Sequence, residues 1–164
     1  LANNLKYLGM LYGKQDNYDK AKKYINDAIR LFEEADFKAG VAVSYFDMAA
    51  VYEQAGNIDS SILFLLKNKN YFLEAKDSSR VFLVNNKLFS SYRKAGNLSA
   101  VQSVYLENIK LEKSEDIYYQ HLLDFYRLCI AYFKDQKDEA TSALFLNKEK
   151  ELTDKLTREG TKFE

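Results

Sequence analysis

The chain is 164 residues long, with 47% apolar and 29% charged residues, the balance of a globular domain or a short repeat array. Its 24 Lys and Arg offset 24 Asp and Glu, which leaves no basic excess to neutralise phosphates, so no nucleic-acid binding by this segment is expected. A single cysteine excludes an internal disulfide and leaves the compartment undecided between cytoplasm and periplasm, and no apolar stretch approaches the ~20 residues that cross a bilayer, so no membrane insertion by this segment is expected.

The absence of proline and the presence of only six glycines suit a chain that is helical nearly throughout. Thirteen Tyr and 11 Phe supply large side chains to fill the space between helices. The chain opens on Leu1 with no charged-then-apolar leader, which reads as a fragment of a larger protein.

Tyr12, Tyr52, Tyr92 and Tyr132 recur every 40 residues, each with an apolar residue four positions earlier, at Leu8, Met48, Leu88 and Leu128. The first unit turns at Asp16 and Asn17 and resumes with the apolar spacing of Tyr18, Ala21, Ile25, Ala28 and Leu31. In the second, Val41, Tyr45, Met48 and Tyr52 form one helical stripe. Gly56 follows as a residue able to take positive φ, Asn57 can cap the next helix, and Ile58, Ile62, Leu65 and Leu66 line that helix. The third unit repeats this with Gly96, Asn97, Leu98 and Val101. Its second helix, with Val101, Val104, Tyr105, Ile109 and Leu111, is unusually apolar, which packing within the array explains better than a self-association face. In the fourth unit, Ala140, Leu144 and Phe145 follow a turn expected to be one residue shorter, and the charged stretch Lys148 to Lys155 is strongly helix-forming. The prediction is an all-α superhelix of four helix-turn-helix repeats over about 2–35, 38–75, 77–115 and 117–157, in a single domain, 1–164. Neither helix of a pair can bury its stripe alone, so stacking creates the core. An exposed apolar face over Leu5, Leu8 and Leu11 would mark a further repeat ahead of Leu1.

Leu8-Gly9-x-x-Tyr12, followed by Ala21, Ile25 and Ala28, resembles the tetratricopeptide repeat, over roughly residues 2 to 157. The small residue at Gly9 becomes Ala49, Phe89 and Cys129, and Phe89 implies wider helix spacing or a shifted crossing in the third unit. The 40-residue period, against the usual ~34, implies helices about a turn longer. Long repeats without the terminating proline, Lys-, Asn- and Tyr-rich composition and the closing KEKELTDKLTREGTKFE are similar to tetratricopeptide segments of Bacteroidetes sensor kinases and transcriptional regulators. The resemblance implies a regulatory module that binds a protein or peptide in its concave groove, with a self-associating homodimeric scaffold or an accessory domain of an enzyme as the alternatives.

Carried over from the family, the groove positions are Lys6 and Met10, Phe46 and Ala50, Asn86 and Ser90, then Tyr126 and Ile130, with Asp47, Lys87 and Arg127 at the side. Exchange of Phe46, Asn86 and Tyr126 together is expected to abolish binding without unfolding the array. The carboxylate clamp of chaperone-binding relatives is not expected: Lys6 matches it, but Met10, Asp47 and Leu83 stand where Asn, Asn and Lys would be needed. His121 is the lone histidine, and no triad, metal-ligand cluster or phosphate loop can be assembled, so no catalytic residue, metal or cofactor is expected. Cys129 occupies a small-residue packing position.

Overall fold

The computed structural model describes residues 1–160, which form eight α-helices joined by short turns. These are α1 (Ala2–Lys14), α2 (Tyr18–Glu34), α3 (Lys38–Gln54), α4 (Ile58–Glu74), α5 (Ser78–Lys94), α6 (Leu98–Leu111), α7 (Tyr119–Asp135) and α8 (Glu139–Gly160). Each helix packs on the next through the first six, α7 packs on α8, and α1–α3 and α5–α7 also touch, so the pairs stack as a tetratricopeptide-like solenoid. The Lys148 to Lys155 stretch continues α8 as helix, while the last four residues of the sequence lie outside the described ones.

One device ends most of the helices. In every turn but that between α6 and α7 the residue after the C-cap takes positive φ: Asp16 at 58°, Asp36 at 49°, Gly56 at 77°, Lys76 at 55°, Gly96 at 72° and Lys137 at 59°. The next amide then reaches back to an orphan carbonyl, as in Asn17 N to Tyr12 O at 3.0 Å and Asn97 N to Tyr92 O at 2.9 Å. The same residue restarts the chain as an N-cap. Side chains of Asn17, Asn57, Asp77 and Asn97 accept from the backbone N–H of Lys20, Ser60, Arg80 and Ala100. Such a cap contributes about 1 kcal/mol. Phe37 offers no side-chain cap and instead packs edge-on against Phe32, ring centroids 5.6 Å apart.

The fourth turn differs from expectation. It has the same length as the turns within the other three units and sits one residue later, where Asp138 caps by accepting Thr141 N–H at 3.0 Å. α7 therefore runs on to Asp135.

Gly9 lets α1 and α2 approach: a Cβ there would lie 2.6 Å from Ile25 Cγ1 and 2.9 Å from the Ala21 carbonyl oxygen. At the equivalent place in the third unit, Phe89 is fully buried and turns to the following unit, edge-on to Tyr132 at 5.4 Å. α5 and α6 run close together over less of their length than the other pairs. The core of the last two units is aromatic. Phe145 of α8 is fully buried among Tyr105, Phe125, Tyr126 and Phe133, with centroids 5.9 to 6.1 Å apart. Burial of one such side chain contributes about 1.5–3 kcal/mol.

Candidate functional site

The first helices of units two to four, α3, α5 and α7, form a trough of three adjoining hollows. The first, of 330 Å³, lies among Val43 and Phe46 of α3, Phe72 of α4, Leu83 of α5, and Tyr118 and His121 at the start of α7. The second, of 60 Å³, lies among Phe46, Ala50, Glu53, Leu65 and Lys87. The third, of 430 Å³, opens between α5 and α7 at Leu83, Lys87, Ser90, Asp124, Arg127 and Leu128. Phe46, Leu83 and Lys87 each border two hollows, so the trough is continuous.

Six residues carried over from the family line this trough: Phe46, Ala50, Asn86, Lys87, Ser90 and Arg127. Asn86 lines it with its polar atoms already committed. It is 5% exposed, donates from Nδ2 to the His121 carbonyl at 2.9 Å, and accepts from Asn108 Nδ2 at 2.9 Å. Asn108 Oδ1 in turn accepts from Asn85 Nδ2 at 2.9 Å. The three amides form a buried relay from α5 through α6 to α7, a structural element rather than a ligand-reading one.

The other five lie off the trough. Tyr126 is buried against Phe125 and Phe145 in the core of the last units, and burial pushes its phenol up to about 12. The Phe46, Asn86 and Tyr126 triple exchange would therefore open the core as well as the trough, and any loss of binding in it would be ambiguous. Lys6 and Asp47 are 9% and 8% exposed and pair at 3.4 Å between α1 and α3. Burial raises the Asp47 carboxyl above its ordinary value although the Lys6 charge opposes this. Lys6, the one residue matching the carboxylate clamp, is thus taken by Asp47. Met10 and Ile130 are half-buried, and Ile130 packs against the Phe125 cluster.

Sequence reasoning missed Val43, Arg80, Tyr118 and Asp124 as lining residues and gave His121 no part in binding. The structure places His121 half-buried at the mouth of the first hollow, Nδ1 3.4 Å from Ser79 Oγ and its ring edge-on to Tyr118. Tyr118 N–H donates to the same Ser79 Oγ at 3.1 Å, so α5 fixes the start of α7. The signal that was present is the seven-residue spacing of Arg80, Lys87 and Lys94, which two helical turns bring to one side of α5.

Among the described residues no group of three or more His, Cys, Asp or Glu is placed to hold a metal ion. Cys129 is fully buried and its thiol is pushed far up by burial. No described helix is long and apolar enough to cross a membrane.

Residues 1–67 match the family model described as Tetratricopeptide repeat, the segment that carries Leu8-Gly9-x-x-Tyr12 and Ala21. Among solved structures, the chain is similar to that described as BtubC (BKLC) from P. vanneervenii, with a TM-score of 0.80 and 17% identity. The likeness covers 96% of this chain and 65% of that one, so the chain spans under two thirds of that protein's length. At that identity the likeness establishes the helical-repeat fold alone. No curated protein matches the sequence at a significant level.

Proposed function

We propose that the chain is a protein- or peptide-binding module that takes its partner in the trough of α3, α5 and α7, as the sensory or regulatory region of a bacterial signal-transduction or transcription-regulating protein. Tetratricopeptide repeats are in general interaction modules, and repeat scaffolds present such surfaces on their first helices. The observation that carries the reading is the continuity of the three hollows past Phe46, Leu83 and Lys87. Apolar floors interrupted by a few charges suit a peptide or an amphipathic helix. Binding in the trough would act by changing how the units stack, and so what a following segment senses.

The test uses the double exchange Ala50→Arg with Leu83→Asp, which fills one hollow and charges another. Proteins recovered by the wild-type chain from a lysate of its source organism, and lost with the double variant at unchanged helix content, support the trough. Equal recovery by both refutes it.

A row of exposed leucines favours a second reading, self-association. Leu66, Leu106 and Leu146 recur at the 40-residue period on α4, α6 and α8, and are 37%, 48% and 55% exposed. The matching position on α2 is Asn26. A two-fold axis through Leu106 would set Leu66 of one copy against Leu146 of another, a closed arrangement. Sedimentation equilibrium decides: a dimer abolished by Leu106→Glu supports this reading, and a monomer at all concentrations removes it.

A further inference from the structure

The geometry points to an acidic amphipathic peptide as the occupant of the trough, with an apolar side chain in the hollow of Val43, Phe46 and Leu83 and a carboxylate on Lys87; this rests on the trough being the binding face.

The chain as a whole is neutral, yet cations border the trough: Arg80 and Lys87 on α5 and Arg127 on α7, with Lys94 joined to Glu53 of its wall. Several are occupied. Arg80 pairs with Asp77 at 3.4 Å, Lys94 with Glu53, and Arg127 with Glu149 at 2.6 Å. Lys87 is exposed and has no ion-pair, hydrogen-bond or ring partner among the described residues, although it borders both the second and third hollows. An unpaired ammonium at the junction of two hollows is the feature that an incoming carboxylate would complete. Of the acids in the trough, Glu53 is neutralised by Lys94, and Asp124 accepts a hydrogen bond from Gln120.

The second observation is the apolar floor beside Lys87. Phe46 and Leu83 are half-buried and frame the 330 Å³ hollow, with Tyr118 and His121 at its rim. Exposed aromatic and aliphatic walls of this kind gain by receiving an apolar side chain, about 25 cal/mol for each Å² removed from water. A peptide that alternates carboxylates with Leu, Met or Phe satisfies both features. A nucleic-acid strand fits less well: its backbone carries no aliphatic group for the Leu83 hollow.

The experiment is selection of a random peptide library on the immobilised chain, followed by anisotropy titration of the most enriched peptide against wild type, Lys87→Gln and Lys87→Glu. Lys87 is solvent-exposed, so both variants keep the fold, which circular dichroism checks. Enrichment of Asp or Glu beside Leu, Ile, Met or Phe is expected, with affinity about tenfold or more weaker for Lys87→Glu, smaller for Lys87→Gln, and reduced by salt. Enriched peptides that are neutral or basic, and that compete for the trough, would overturn the acidic occupant while leaving the trough as the binding face. Failure to enrich any peptide would overturn both. Tight binding of oligothymidylate, lost in Lys87→Glu, would reassign the cationic face to nucleic acid.

Discussion

Asn108 stands at the middle of the amide relay and is fully buried, as is Asn85 beside it. Truncation to alanine removes the acceptor of Asn85 Nδ2 and the donor to Asn86 Oδ1 in one step. Asn85 Oδ1 has no partner in the folded chain, so Asn85 would then have no side-chain hydrogen bond at all. Two stranded buried groups cost about 1–3 kcal/mol each, which places Asn108→Ala at about 2–6 kcal/mol of lost stability. That is a large share of the ~5–15 kcal/mol that a domain usually has. Urea unfolding followed by far-UV circular dichroism measures the loss, and amide exchange locates it. Faster exchange should appear in α5, α6 and the first turns of α7, with α1 and α2 little changed, since repeat units couple mainly to their neighbours. A loss below about 1 kcal/mol, or one spread evenly over all eight helices, would refute the role given to the relay.

Lys6→Met leaves the Asp47 carboxylate buried without its cation and is expected to cost about 3–5 kcal/mol at neutral pH, whereas Lys6→Met with Asp47→Leu should return close to wild type. A double variant as unstable as the single one would contradict the buried-pair account. The folded Asp47 carboxyl lies above its ordinary 3.8, so the native state holds that proton more firmly than the unfolded chain does. Its stabilising contribution is complete below the ordinary value and is lost as pH rises through the folded one; without Lys6 the loss should grow, visible as a steeper fall of melting temperature from mildly acidic to neutral pH. Gly9→Val should destabilise by at least about 1–3 kcal/mol, because the added atoms meet Ile25 and the fixed Ala21 carbonyl. Thermal melts of Gly9→Val and of Gly56→Ala, where no atom lies within 4 Å of the added Cβ, separate a packing cost from a backbone one.

The repeat was legible because its signal is periodic: a Tyr and an apolar residue at fixed spacing, then an Asn that caps. The fourth turn was misplaced because the cap there is an Asp one residue out of period, and local capping chemistry outweighed the repeat. Site positions were harder to read. The family pattern says which way a helical position faces, but it does not say whether a neighbour has already filled the space in front of it. Asp47 answers Lys6, Asn108 answers Asn86, and Phe145 covers Tyr126, and each of these partners comes from a different helix. Lys87 escaped such a partner, which no local sequence feature announces.

The trough draws its walls from three successive units, from Val43 on α3 to Arg127 on α7. An occupant would therefore act as a strut laid across the coils of a spring. By mass action, a ligand present at a hundred times its dissociation constant adds about 2.7 kcal/mol to any state in which those coils are stacked. The bound array would be stiffer in bending as well as more stable, and its far end, α8, would feel the arrival of a ligand it never touches.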